Sequence, residues 1–363
     1  MQKIKIYIFH PYSRIGGADL TISRLINNLN AKKYEITFIC LNRADIIKYL
    51  TKKIKIIIIK KSRSIFSIPD LRKIIWQNYE NDKKYKKVIF ISNQNFANII
   101  SILALNGFKH IKKILIERNN PSELDYLNNY KNKFIKKLIR LTYKYADQII
   151  GISKELSKDL SKLCSKNVHT IYNPAFDTNI LKQIKKKKIS NKIILSVARF
   201  EKQKNHIMLL KAFKLSLKYF NSKLVLVGYG SEKQNIINYI NKNNLSDKVK
   251  IVLKPKNPYI YYNKSNLFVL TSLYEGFGNV LVEAGMFRIP IISTNCKSGP
   301  KEILRGGKYG DLVKINDHKQ LSKLIVKNLK YPNKKKIEQM YKSLIRFNIK
   351  RHIREYEKVF KKI

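Results

Sequence analysis

Between Ile4 and Tyr172 short apolar runs alternate with amphipathic stretches, and after one interruption the same alternation starts again. Runs with the length and β-branched content of strands occupy 4–9, 34–41, 55–60, 87–91, 113–117, 148–152 and 167–172. Segments of helical spacing lie between them at 18–29, 68–78, 95–106, 131–145 and 154–163. Such alternation predicts a parallel sheet with helices on both faces, so the fold class is α/β. Asn173-Pro174 stops the pattern, and Gln183-Ile-Lys-Lys-Lys-Lys-Ile-Ser190 reads as a solvated linker. Strands then follow at 192–197, 223–227, 249–253, 267–270 and 290–294, with helices at 206–219, 231–241, 259–264 and 280–286. A basic, aromatic helical segment runs from about Asn333 to Ile363. The expected organisation is a first domain over 1–178, a linker over 179–190, a second domain over 191–340 and a terminal helix over 341–363.

The length of 363 residues suits two such domains rather than one core, and a hydrophobic content of 44% is ample for both. Cys40, Cys164 and Cys296 are scattered, without Cys-x-x-Cys or paired histidines. A disulfide scaffold and a structural metal are therefore not expected, and a reduced cytoplasmic setting is. Met1 to Phe9 alternates basic and apolar residues like a first strand and lacks the apolar core of a signal peptide. No apolar run approaches the roughly 20 residues of a spanning helix, which predicts a soluble or peripheral protein.

The net charge of +51 has three readings. Lysine spread along the whole chain covers solvated faces, as compositional drift would produce. A nucleic-acid partner would need a basic-aromatic recognition motif, and none occurs, so no nucleic acid is expected. An anionic membrane surface has a local feature behind it, the segment 130–145. There Phe134, Ile135, Leu138, Leu141 and Tyr145 recur at helical spacing, among Lys133, Lys136, Lys137, Arg140 and Lys144. A basic amphipathic helix of this kind either lies on lipid headgroups or packs its apolar stripe on the first sheet.

Thr271-Ser-Leu-Tyr-Glu-Gly-Phe-Gly-Asn-Val-Leu-Val-Glu-Ala-Gly285 follows an apolar strand and leads into a helix pattern. Gly276, Phe277, Gly278 and Asn279 would lie at a helix N-terminus, where backbone N–H groups and the helix dipole favour a phosphate. With a helix beginning near Phe277, Glu283 stands two turns in, about 9–12 Å along the axis from Glu275. Two carboxylates at that spacing reach different hydroxyls of one extended ligand, such as a nucleotide sugar. Arg199 and Lys204 lie in another strand–helix loop, where two fixed cations suit a diphosphate. Gly16-Gly17 after the first strand, the Gly228 and Gly230 turn, and Lys254 offer backbone approach or charge at further strand ends, or serve as ordinary turns.

The Glu275…Glu283 spacing resembles the Glu-x7-Glu signature of the retaining GT-B glycosyltransferases (glycosyl transferases group 1) of bacterial surface-polysaccharide and lipopolysaccharide type. Ser196 to His206 is similar to that family's G-R-[LF]-x-x-x-K-[GN] loop, with Ala198 in place of the glycine, and Ser298 to Leu304 to its S-G-P-x-E-I-L stretch. The resemblance covers most of the chain and is densest from Ile193 to Leu304. It implies two Rossmann-like domains facing a cleft, and transfer of a hexose or N-acetylhexosamine from a UDP-sugar to a lipid-linked glycan, lipopolysaccharide or capsule acceptor. By the same resemblance Glu275 meets the donor sugar, Gly276 and Phe277 the distal phosphate, Glu283 the ribose, and Arg199 and Lys204 the leaving diphosphate. No metal cofactor is implied. Gly16 and Gly17 would line the donor side of the cleft, with Gly228, Gly230 and Lys254 around the nucleotide. A family histidine after the fifth strand is missing; Glu117 or Arg118 stands there as the expected sugar or acceptor contact. A UDP-sugar epimerase on the same fold and a non-catalytic basic binding module are the competing readings.

Overall fold

The computed structural model describes residues 2–11, 16–41, 45–121, 123, 130–182 and 192–363. By their internal contacts they form two units, Met1–Pro174 with Ile349–Ile363, and Ala175–Asn348.

In the first unit, β1 (Ile4–Phe9) pairs in parallel with β2 (Tyr34–Leu41) on one side and β4 (Lys87–Asn93) on the other. With β3 (Lys55–Ile59), β5 (Ile111–Glu117), β6 (Gln148–Gly151) and β7 (Val168–Thr170) the order is β3-β2-β1-β4-β5-β6-β7. Helices cover the sheet, so the middle of β4 and the second half of β1, from Ile6 to Phe9, read as continuous apolar runs. Tyr7, Phe9, Phe90, Leu71 and Ile100 share one of its buried clusters.

The second unit repeats the plan with β8 (Ile193–Val197), β9 (Lys223–Gly228), β10 (Val249–Leu253), β11 (Leu267–Leu270), β12 (Ile291–Thr294) and β13 (Asp311–Val313), in the order β10-β9-β8-β11-β12-β13. Ile194, Phe213, Leu226, Val269 and Leu321 lie in its core. Strand β13 and helix His318–Lys330 are elements the sequence reading does not mark. The strand is only three residues long, and the helix is capped by Asp317, whose side chain accepts from Gln320 N.

The division between units falls at Pro174 and Asn348, not at 178 and 340. Phe176 explains the first difference, because its N–H donates to Phe347 O at 3.1 Å and it bridges to Asn348 within the second unit. Residues 179–182 of the expected linker belong to a short helix, Thr178–Lys182, and the rest of that linker, 183–190, lies outside the described residues. The terminal segment is not one helix. Lys334–Ser343 and the turn Leu344–Phe347 belong to the second unit, Asn348 is extended, and Ile349–Lys362 belongs to the first. The last helix buries His352, Tyr356, Val359 and Phe360, one face at helical spacing.

Candidate functional site

In the second sheet the chain leaves β8 toward β9 on one side, while β11 lies on the other. The loops after β8 and β11 therefore flank a switch point, where open α/β sheets bind ligands at the carboxyl ends of their strands. Backbone and side chains stitch these two loops together. Leu273 N donates to Gln203 O at 2.8 Å, and Gln203 Nε2 to Tyr274 O at 2.8 Å. Thr271 Oγ1 bonds Lys204 O at 2.9 Å and Asn205 O at 3.1 Å. Across this seam Lys204 Nζ reaches Glu275 Oε1 at 2.5 Å, and Ser272 Oγ donates to the same oxygen at 2.6 Å. The pair is largely buried, with side chains 13% and 8% exposed. A low-dielectric surrounding strengthens an ion pair of this geometry and makes an unpaired member costly.

The neighbouring loops have packing reasons for their glycines. A Cβ on Gly228 would fall 1.9 Å from Ala198 O, and one on Gly230, at φ +155, 2.3 Å from Phe200 O. The two loops bond through Ala198 N to Val227 O at 3.0 Å and Phe200 N to Tyr229 O at 2.7 Å. Arg199, between these anchors, is exposed, and its side chain makes no hydrogen bond or ion pair among the described residues. Lys254, also exposed, stands over the Tyr229 ring at 4.9 Å, which brings the ends of β9 and β10 together.

After Glu275 the helix starts later than expected. Gly278 is left-handed (φ +94, ψ 56) and is the N-cap, so the helix is Asn279–Met286 and Glu283 lies one turn in rather than two. Gly276 and Phe277 remain loop. Gly299 supports that loop, since a Cβ there would sit 1.8 Å from Phe277 O. This is a structural reason for the Ser298-Gly299-Pro300 stretch. The Phe277 side chain is buried, edge-on to Phe347 at 5.2 Å. Glu283 is not joined to Glu275: its Oε2 accepts from the buried Tyr262 hydroxyl at 2.8 Å. Tyr262 stacks on Phe287 (5.6 Å, 11°), which fixes that hydroxyl's direction, and burial raises its pKa well above the ordinary tyrosine value.

Two other titratable groups border the Lys204–Glu275 pair. The Cys296 thiol is pushed up to about 12, first by burial and then by the Glu275 charge, so it stays protonated and is no nucleophile at neutral pH. His206 is lowered to about 4 by burial and by Lys204, and is neutral. Among the described residues no group of three or more His, Cys, Asp or Glu could hold a metal ion.

The first unit carries its own switch point, between β1 and β4. Gly16 is extended (φ −146) and caps helix Gly17–Asn28, its N–H donating to Asp19 Oδ2 at 2.9 Å. His10 Nε2 meets Asp19 Oδ1 at 2.9 Å, and His10 Nδ1 meets Asn93 Nδ2 at 2.9 Å. Asn93 Oδ1 accepts from Arg118 Nε, which assigns the amide nitrogen to His10 Nδ1 and the imidazole proton to Nε2. Arg118 also donates through Nη1 to Asn173 Oδ1 at 3.0 Å, while its buried Nη2 has no partner among the described residues. Burial lowers its pKa. Glu117 accepts from Tyr143 Oη at 2.7 Å and from the backbone N–H groups of Arg118 and Asn119 at 2.9 and 3.1 Å, with burial raising its pKa. Both side chains of the expected sugar contact thus point into this internal network.

The basic segment forms helix Tyr130–Thr142 and a further turn over Tyr143–Tyr145. Its buried face is Asn132, Ile135, Ile139 and Thr142, not the whole apolar stripe read from the sequence. Tyr130, Phe134, Leu141 and Tyr145 are exposed, Phe134 by 60%, beside exposed Lys131, Lys133, Lys137, Arg140 and Lys144. No helix among the described residues is long and apolar enough to cross a membrane.

Two Rossmann-like units, each with a loop cluster at the switch point of a parallel sheet, define the GT-B class of fold. The chain superimposes on Anabaena Alr3699/HepE in complex with UDP and glucose with a TM-score of 0.80 at 15% identity, covering 100% of both chains. "Glycosyl transferases group 1" matches residues 177–345, and "Glycosyltransferase Family 4" matches 15–175. The Campylobacter jejuni N-acetylgalactosamine-N,N'-diacetylbacillosaminyl-diphospho-undecaprenol 4-alpha-N-acetylgalactosaminyltransferase is 30% identical over 335 residues, 88% of each chain. The amylovoran biosynthesis glycosyltransferase AmsD of Erwinia amylovora is 28% identical over 314 residues, 85% of each. The chain belongs to the glycosyl transferases group 1 and is a glycosyltransferase.

Proposed function

We propose that this glycosyltransferase moves a hexose or N-acetylhexosamine, with retention at the anomeric carbon, from a UDP-sugar to a lipid-linked glycan, lipopolysaccharide or capsule acceptor. The observation that carries the reading is the Lys204–Glu275 pair at the switch point of the second sheet. The cation meets the leaving diphosphate together with Arg199, and the carboxylate accepts from hydroxyls of the sugar. Backbone N–H groups around Gly276–Asn279 take the distal phosphate, with the dipole of helix Asn279–Met286 behind them. Glu283, set by Tyr262, holds the ribose, and Gly228, Gly230 and Lys254 border the nucleotide. Negative charge grows on the departing diphosphate, so each well-aimed donor lowers the barrier by about 2.7–4 kcal/mol. Arg199 and Lys204 supply that positive charge in this reading, which makes transfer insensitive to EDTA.

The donor assignment is supported by the likeness to a protein solved with UDP and glucose. The acceptor class is supported by relatives named for a diphospho-undecaprenol acceptor and for amylovoran biosynthesis. In this reading the enzyme works at the inner face of the cytoplasmic membrane, in keeping with a lipid-linked acceptor. The exposed basic and aromatic residues of helix Tyr130–Thr142 would meet the anionic headgroups there.

The test is sugar transfer or UDP-sugar hydrolysis by Lys204→Ala and Glu275→Ala. Each is expected to lose about 100-fold or more in turnover. Full activity in both would remove the assignment. Product analysis by NMR separates transfer from epimerisation, because an epimerase alters the sugar without an acceptor.

A further inference from the structure

We propose that Ser272 is a positioning residue for Glu275, holding the carboxylate in place when the donor diphosphate draws Lys204 away. The inference rests on the assignment of Lys204 and Glu275 to the donor site. Both described donors to Glu275, Lys204 Nζ at 2.5 Å and Ser272 Oγ at 2.6 Å, land on Oε1. Oε2 accepts nothing from the described residues and is the oxygen left for a ligand hydroxyl. In the free enzyme one ammonium therefore serves the same carboxylate that must address the sugar.

A diphosphate carries more negative charge than a carboxylate, and it arrives beside Arg199 on the same loop. It competes for Lys204 Nζ, and a compact ammonium on a flexible stem is free to turn to it. Glu275 then keeps a single fixed partner. Ser272 is suited to that task because its own position is set from several directions. It is fully buried, and its carbonyl accepts from Thr294 Oγ1 at 2.6 Å. On either side, Thr271 and Leu273 are bonded to the 203–205 loop. A hydroxyl pinned in this way bonds Oε1 and leaves Oε2 turned outward. Two positions of the lysine, before and after donor binding, are thus compatible with one position of the glutamate.

The measurement compares Ser272→Ala, Ser272→Thr and Glu275→Ala with the wild-type protein. UDP affinity is read by calorimetry, and turnover is read with UDP-glucose or UDP-N-acetylglucosamine, whichever the wild type uses. UDP lacks the transferred sugar and so reports on the nucleotide and diphosphate contacts without the hydroxyls that Glu275 addresses. The expected result for Ser272→Ala is unchanged UDP affinity with turnover lowered about tenfold or more, and Ser272→Thr, which keeps the hydroxyl, recovers most of it. Should the alanine variant not fold, Ser272→Cys keeps the size with a weak donor and gives the same contrast. Wild-type turnover in Ser272→Ala, beside an inactive Glu275→Ala, overturns the positioning role and leaves the donor site standing. Equal losses in UDP affinity and turnover overturn it too, since they report general loosening of the loop. Full turnover in Glu275→Ala removes the donor-site reading itself.

Discussion

Gly228 carries no side chain because Ala198 O stands 1.9 Å from the place its Cβ would take. Gly228→Ala must therefore push the Ala198–Phe200 loop away from β9, and Arg199 moves with it. The expected cost is about 1–3 kcal/mol of stability together with weaker UDP binding, read by urea unfolding and calorimetry. Gly107, with φ +91 and nothing within 4 Å of its Cβ position, is the control: alanine there costs about 1–2 kcal/mol of backbone strain and leaves UDP binding unchanged. A second change at this scale, Tyr262→Phe, removes the hydrogen bond to Glu283 without altering the stacked rings. It should raise KM for the donor several-fold while leaving kcat near the wild-type value, as for a contact made equally in ground and transition states. The loops that carry Lys204 and Glu275 were legible in the sequence because each follows an apolar strand, and Glu283 stood out by its seven-residue separation from Glu275. Gln203, Ser272 and Tyr262 were not. Their partners depend on which strands lie side by side, and no local pattern carries that information.

Helix Tyr130–Thr142 shows how an element's period is read correctly and its face misassigned. Asn132 and Thr142 belong to the buried face with Ile135 and Ile139, so polar residues masked the true stripe and the aromatics drew the eye to the other side. What remains outside is Phe134, Leu141 and Tyr145 among lysines, a surface that fits anionic lipid. Replacing Lys133 and Lys137 by glutamate should lower binding to phosphatidylserine-containing vesicles by roughly fivefold or more for each lysine, each being worth about 1 kcal/mol or more. Vesicle flotation at low salt checks this; wild-type binding that ignores both salt and these changes would remove the membrane reading. Most strands were placed within a residue or two, since buried β-branched runs between turn residues have no helical alternative of that length. The three-residue β13 and the break at Asn348 escaped because neither has a periodic signal of its own.

Across the whole molecule the buried His206 and His352 cost the fold stability in acid, against an opposite contribution from the buried Glu117 carboxyl, whose pKa is raised. His206 in the second unit is lowered to about 4 and His352 in the first to about 3, each chiefly by burial. The unfolded chain takes up a proton near pH 6.5 that the folded one refuses, so stability is full above that pH and falls as pH drops toward the folded values. At pH 5 each histidine withdraws roughly 2 kcal/mol. Urea midpoints measured from pH 7 to 5 should fall, and His352→Asn, which can still donate to Tyr172 O, should flatten the slope. The residues around His352 also show how the first unit is closed. Tyr172 O, Asn173 Oδ1 and Pro174 O accept in turn from His352, Arg118 and Arg24, and Lys87 Nζ bonds Phe360 O at 2.9 Å. The stretch that finishes this unit is thus translated after the entire second unit. A nascent chain emerging from the ribosome presents the first sheet with one flank bare until Ile349–Ile363 arrives, and during that interval the bare flank is open to chaperones and to premature association.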